Sequence, residues 1–167
     1  QDQIAQKAAA EAAAAQAAAE AAAAQAAAEA AAAEAARFVL VAPVNAPVIS
    51  GFGYRIHPVY GYSKMHTGVD YRVTCGVPVS AAEDGKVVES GWGGGYGNRV
   101  VIDHGMVNGR NLKTSYNHLS KRSLTVGMSV SKGDLVGLVG STGTSTGCHL
   151  HFEVEQNGAK VNPAAFL

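Results

Sequence analysis

Residues 98–102, Asn98-Arg99-Val100-Val101-Ile102, form a short run rich in β-branched side chains, directly behind a glycine-rich turn. Such side chains fit a pleated, half-buried surface better than a helix. Runs of the same kind lie on both sides of it. Val77-Pro78-Val79-Ser80 and Lys86-Val87-Val88-Glu89 precede it; Leu112-Lys113-Thr114-Ser115-Tyr116, Leu135-Val136-Gly137-Leu138-Val139 and residues 149–155 follow. Strand-like runs spaced about ten residues apart with glycine turns between them predict an antiparallel β-sandwich or barrel. After residue 37 no segment has helical periodicity, apart from a possible turn at Pro163-Ala164-Ala165. The expected fold is mainly β.

The composition changes abruptly upstream. Positions 8 to 36 are alanine except for Glu11, Gln16, Glu20, Gln25, Glu29 and Glu34, whereas all 20 glycines, all 6 histidines and both cysteines come after residue 42. Alanine, glutamate and glutamine are strong helix formers, so residues 1–37 are expected to be an alanine-rich helical arm or stalk. Its polar residues are scattered around the helix, and no leucine or isoleucine marks a heptad seam, which leaves a coiled coil unsupported. The arm reads as a spacer, or as an element that docks a protein partner or covers the groove of the domain. Residues 38–167 then form one domain of ordinary size.

The formal net charge is zero, with 13 basic and 13 acidic residues. Residues 38–167 carry a small positive excess, too weak to argue for nucleic acid. No transmembrane span is expected, because alanine is only weakly apolar and its run holds four glutamates. No signal sequence is read at Gln1, where a basic end followed by an apolar core is missing.

The chemistry is concentrated in three clusters: His66-Thr67-Gly68-Val69-Asp70, Tyr116-Asn117-His118-Leu119 and His149-Leu150-His151-Phe152-Glu153. On a strand, His149 and His151 share one face while Leu150 and Phe152 face the core. Two imidazoles on one face can both ligate a metal, or one can ligate and the other move protons. His66 and Asp70 are four apart, but Thr67-Gly68-Val69 is a poor helical insert. A bent loop-to-strand segment is expected, with Gly68 permitting close backbone approach. Each cluster alone is also compatible with structural histidines.

In combination they are more specific. Gly53-Tyr54-Arg55-Ile56-His57-Pro58, then HTGVD, then YNHL, then residues 141–154 (STGTSTGCHLHFEV), resemble in order the lysostaphin-type (LytM-like) zinc metalloendopeptidases. The resemblance covers nearly all of residues 48–166. It implies a β-domain of the duplicated hybrid motif type, one zinc ion per domain, and hydrolysis of peptide bonds in bacterial peptidoglycan outside the cytoplasm. It further implies that His66, Asp70 and His151 bind the metal and that His118 and His149 do acid–base work. The same fold also serves proteins that have lost the metal and activate cell-wall amidases, so a non-catalytic or latent regulator is the alternative. An N/N/O donor set with three protein ligands suits zinc with one open position.

Other residues invite weaker readings. His57 and His104 are expected to be structural. The run Gly91-Trp92-Gly93-Gly94-Gly95-Tyr96-Gly97 lacks the lysine of a phosphate loop; it is a hairpin tip whose Trp92 and Tyr96, with neighbouring Asn98, are candidate walls of a substrate groove. Cys75 and Cys148 lie near the implied ligands, which leaves a disulfide or two reduced thiols as the alternatives.

Overall fold

The computed structural model describes residues 15–23, 25–26, 39–56 and 63–167. The chain divides into two compact units at the Phe38–Val39 junction. In the first unit, residues 15–23 and 25–26 are helical and exposed, as the alanine content requires. The remainder of the arm, and with it the choice between spacer and docking element, lies outside the described residues, as does His57. Among the described residues no helix is long and apolar enough to cross a membrane.

The second unit is β throughout. Its strands are β1 (Val48–Ser50), β2 (Gly53–Ile56), β3 (Ser63–His66), β4 (Val69–Arg72), β5 (Pro78–Ser80), β6 (Gly85–Trp92) and β7 (Asn98–Val107), then β8 (Arg110–Leu119), β9 (Lys121–Arg122), β10 (Ser129–Val130), β11 (Leu135–Leu138), β12 (His149–Gln156) and β13 (Ala159–Val161). Pro163–Ala165 forms a short 3₁₀ turn capped by Asn162. An eight-stranded antiparallel sheet runs β1-β4-β12-β8-β7-β6-β10, with β13 paired to β12. A three-stranded sheet, β5-β11-β9, and the β2-β3 hairpin complete the domain. The strand-like runs of the sequence all appear as strands.

Alternation along β12 organises the molecule. Leu150, Phe152 and Val154 are fully buried on the core side, where the Phe152 ring packs on that of Tyr116, with centroids 5.4 Å apart. Burying each such side chain stabilises the fold by roughly 1.5–3 kcal/mol. Tyr116 is also a polar anchor: its hydroxyl accepts from the Ala82 amide at 2.8 Å and shares a hydrogen bond with Thr114, and burial pushes its pKa up to about 12. Val79 and Val136 of the three-stranded sheet are fully buried too. The opposite face of β12, carrying His149, His151 and Glu153, is the one that carries chemistry.

Candidate active site

Strand order brings the three sequence clusters together. β12 lies between β4 and β8, and its register sets His151 directly opposite Asp70 on one side and Asn117 on the other. His66 ends β3, and after the Thr67-Gly68 turn the chain re-enters the sheet at β4 with Asp70 facing His151. Gly68 makes that turn possible. A Cβ there would stand 2.3 Å from the Phe152 carbonyl and 2.9 Å from the His151 ring, so no larger residue fits without moving β12.

Three donor atoms converge. His66 Nε2 lies 3.2 Å from Asp70 Oδ1 and 3.2 Å from His151 Nδ1, and His151 Nδ1 lies 2.8 Å from Asp70 Oδ1. All three side chains are buried, and together they can hold a metal ion. The remaining ring nitrogens explain the orientation. His66 Nδ1 meets the Gly51 carbonyl at 2.6 Å, and His151 Nε2 meets Glu153 Oε1 at 3.1 Å. A carbonyl and a carboxylate can only accept, so the outer nitrogens donate to them, and the inner nitrogens are turned toward Asp70, to which they donate when protonated and beside which they offer lone pairs when deprotonated. Two lone pairs and a carboxylate at about 3 Å form a site for a cation. The donor set therefore fits zinc chemically.

Charge at this cluster is held by its contacts. Burial pushes the Asp70 carboxyl up, but hydrogen bonds from His151 and His66 win and hold it well below the usual carboxylate range. Glu153 is likewise held far down against its burial by His151, Thr67 and Lys160. Burial opposes a charge on His151, yet Asp70 and Glu153 raise its pKa.

Two more imidazoles stand beside the donors. The His118 and His149 rings are 4.7 Å apart between centroids, and His118 is 5.9 Å from the His151 ring. His118 Nδ1 donates to the Thr142 carbonyl at 2.8 Å and His149 Nδ1 to that of Gly147 at 2.9 Å, which leaves Nε2 of each ring for the cleft that both residues line. Burial lowers the pKa of His118, a trend that the Thr142 carbonyl only partly offsets.

His118 reaches this position through an irregularity. Between Asn98↔Leu119 and Val100↔Tyr116, two steps on β7 face three on β8, and His118 has φ of 61°. Strict alternation from the core-facing Tyr116 would turn His118 into the core as well. The bulge re-phases the strand and sends His118 to the site face, while Leu119 stays fully buried.

A cleft of about 1000 Å³ opens above these residues. Tyr96 lines it, stacks near His151 at 5.9 Å and donates its hydroxyl to Glu153 Oε1 at 3.0 Å. Trp92 is 65% exposed at the end of β6 and is not among the residues lining this cleft. Asn98 is also outside it: its side chain donates to the Leu119 carbonyl and its amide to Thr142 Oγ1, tying β7 to the end of β8. His104 is bound at both nitrogens, by the Asp84 carbonyl and Thr114 Oγ1, away from the cleft lining. Cys75 and Cys148 form a disulfide, which joins the segment after β4 to the residue before His149. The sequence reading assigned no role to Glu153, although its place two residues beyond His151 puts it on the same strand face.

Residues 64–163 match the model of peptidase family M23. The chain belongs to that family. It is 47% identical over 122 residues, 73% of its length, to the DD-carboxypeptidase/endopeptidase Mpg of Neisseria meningitidis serogroup B. It is 41% identical over 109 residues, 65% of its length, to the peptidoglycan DD-endopeptidase ShyC of Vibrio cholerae. The chain spans about a quarter of the length of these curated relatives, 27% and 24% respectively. The catalytic domain of the antimicrobial peptidase lysostaphin from Staphylococcus simulans superposes with a TM-score of 0.64 at 36% identity, covering 73% of this chain and 92% of that one. The domain is thus a mainly β M23 peptidase domain, homologous to lysostaphin and to DD-endopeptidases acting on peptidoglycan.

Proposed function

We propose that this chain is a zinc-dependent endopeptidase that hydrolyses peptide bonds in the stem peptides or cross-links of peptidoglycan, working outside the cytoplasm. The observation that carries the proposal is the convergence of His66 Nε2, Asp70 Oδ1 and His151 Nδ1 beside two further imidazoles, those of His118 and His149, that line the same open cleft. The disulfide agrees with an oxidising compartment.

His66, Asp70 and His151 would hold one zinc ion. When bound, that ion supplies Lewis acidity, polarising the scissile carbonyl and making water available as hydroxide near neutral pH. Proton movement falls to the chain. His118, kept neutral by burial, accepts the proton of the attacking water at Nε2. His149, whose Nε2 lies 3.9 Å from Asp70 Oδ1, is the group that, carrying a proton on Nε2, steadies the negative charge developing on the carbonyl oxygen. The proton taken by His118 returns to the leaving amine as the C–N bond breaks, so water and amide become acid and amine in balance. Tyr96 and the glycine turn wall the cleft and hold the peptide over this pair.

The test is mass analysis of muropeptides after digestion of purified peptidoglycan by the wild type and by His118→Ala, with zinc content measured on both. New peptide ends with the wild type only, at equal zinc loading, are expected. A zinc-loaded wild type that releases no peptide fragments would return the chain to the regulatory alternative.

A further inference from the structure

The cleft is electrically lopsided. The part of its lining formed by β2, β3 and β4 presents Arg55, Lys64 and Arg72, whereas the part formed by Gly93, Gly95, Tyr96 and segment 144–147 is uncharged. Asp70 is the only acidic residue lining the cleft among the described residues, and it belongs to the metal triad.

The cations are placed at some cost to the fold. Arg55 and Lys64 are directly opposite each other in the β2–β3 ladder, and like charges in that relation destabilise a strand pair. Arg55 is steadied by donating to Ser50 Oγ at 2.6 Å, with its guanidinium 3.9 Å from Asp70 Oδ2. Arg72 shares the strand face of Asp70, two residues on, and pairs in register with His149. Among the described residues no acidic side chain pairs with Lys64 or Arg72. Three lysines away from the cleft are paired: Lys132 meets Glu83, Lys113 meets Glu155, and Lys160 meets Glu153 and Glu155. Lys64 and Arg72, without an acidic partner and gathered with Arg55 beside the donor cluster, are complementary to an anionic group on the substrate.

We infer that the β2–β3–β4 wall is a carboxylate-binding subsite, so that the preferred substrate is a wall peptide carrying a free carboxylate beside the scissile bond and not a neutral glycine bridge. This rests on the endopeptidase reading and names its substrate class. Arg55 and Lys64 straddle the carboxylate from the hairpin, and Arg72 meets it from the side of His149. None of the three touches a reacting atom; they decide which peptide settles over the metal triad.

The test is a binding comparison on the zinc-loaded full chain carrying His118→Ala, read by titration calorimetry. The probes are two matched cross-linked stem peptides, one with the carboxyl beside the scissile bond free and one with it as a carboxamide, together with a neutral oligoglycine peptide. The free acid is expected to bind about tenfold more tightly than the carboxamide or the oligoglycine, and the margin is expected to shrink in concentrated salt. Adding Lys64→Ala or Arg72→Ala should cut the preference to about threefold or less, and Lys64→Glu should reverse it. Equal binding of acid and amide, or a preference surviving in both alanine variants because the carboxylate ligates the metal alone, would overturn the inference. Parallel hydrolysis assays on the wild type keep the two readings apart: failure to cleave any of the peptides counts against the endopeptidase, while the binding ratio still decides the subsite.

Discussion

Glu153 Oε1 lies 3.1 Å from Nε2 of His151, while Nδ1 of the same ring lies 2.8 Å from Asp70. His151 is therefore fixed at both ends, with Nε2 held by Glu153 and Nδ1 turned toward the donor cluster. Glu153 is itself fully buried and receives Ser115, Thr67, Tyr96 and Lys160. That arrangement makes Glu153 the group that orients His151 within the candidate metal triad.

Glu153→Gln keeps the shape but can present an amide N–H to Nε2 in place of a carboxylate. Zinc affinity is expected to fall by about 10–100-fold, the usual consequence of removing an outer-shell partner. Competition with a chelator of known affinity measures this without reference to activity. Glu153→Ala should do more, because it strands three hydroxyl donors and leaves Lys160 with Glu155 alone, and its melting temperature should drop as well.

Ligands and proton carriers separate under mutation. Asp70→Ala and His151→Ala should lose zinc and hydrolysis together. His118→Ala should retain zinc while kcat falls by about 10²–10⁴-fold, the range of general acid–base catalysis. Metal analysis of each purified variant beside its turnover checks the division. Zinc lost from His118→Ala but kept by His151→Ala would reverse the assignment.

The pH profile follows from the burial of His118, which lowers its pKa from the ordinary 6.5. A lowered histidine stays neutral, and able to accept a proton, at every pH above its folded value. The acid limb of kcat/KM is thus expected to have its midpoint below pH 6.5, with no loss of the base form at neutral pH. The sign for stability is the same. The contribution of neutral His118 is fully present above 6.5 and is lost as pH falls through the lower, folded value. A zinc-saturated pH–rate series checks this; a limb centred above 6.5 would show that His118 is not the acceptor.

The disulfide should matter to the domain as a whole. Cys75 and Cys148 are separated by 73 residues, and closing a loop of that length removes unfolded-state entropy worth about 4 kcal/mol in the chain-entropy treatment. Denaturant unfolding with and without reductant is expected to show a loss of that order. The same bond anchors the chain immediately before His149, so reduced protein should also lose activity before it unfolds.

What was legible in the sequence was whatever follows from period-2 alternation and local spacing. Leu150 and Phe152 against His149 and His151 could be sorted to opposite faces from the strand rule alone, and the strand-like runs predicted an antiparallel β domain. The bend between His66 and Asp70 was legible because Thr67-Gly68-Val69 cannot sustain a helix. His118 was not accessible in this way. Its place depends on an extra residue in β8 and a left-handed backbone at a non-glycine position, which only pairing against β7 reveals. Glu153 sat in plain view on the face of His151, but its role needed the contacts of Thr67, Ser115, Tyr96 and Lys160 to be seen. The positive wall was missed because Arg55 and Lys64 lie nine residues apart and meet only through the β2–β3 register. Trp92 is a candidate groove wall by its place in a glycine-rich hairpin tip, yet at the end of β6 it is exposed and outside the cleft lining.

Gly68 offers the sharpest test of how the fold builds the site. A methyl group at this position would meet the Phe152 carbonyl at 2.3 Å, Cγ of Glu153 at 2.9 Å and Cε1 of His151 at 2.9 Å. The first of these is backbone of a central strand and cannot rotate away, so the β3–β4 turn and β12 must separate. Overpacking of this kind costs about 1–3 kcal/mol, which a domain of this size can absorb and remain folded. The displacement, however, falls between His66 and Asp70 on one side and His151 on the other. Gly68→Ala is therefore expected to give a folded protein, melting several degrees lower, whose zinc affinity falls more steeply than its stability. Thermal unfolding of the metal-free protein beside a zinc titration separates the two effects. Unchanged zinc affinity in a destabilised variant would mean that the triad moves as a rigid group and tolerates the shift.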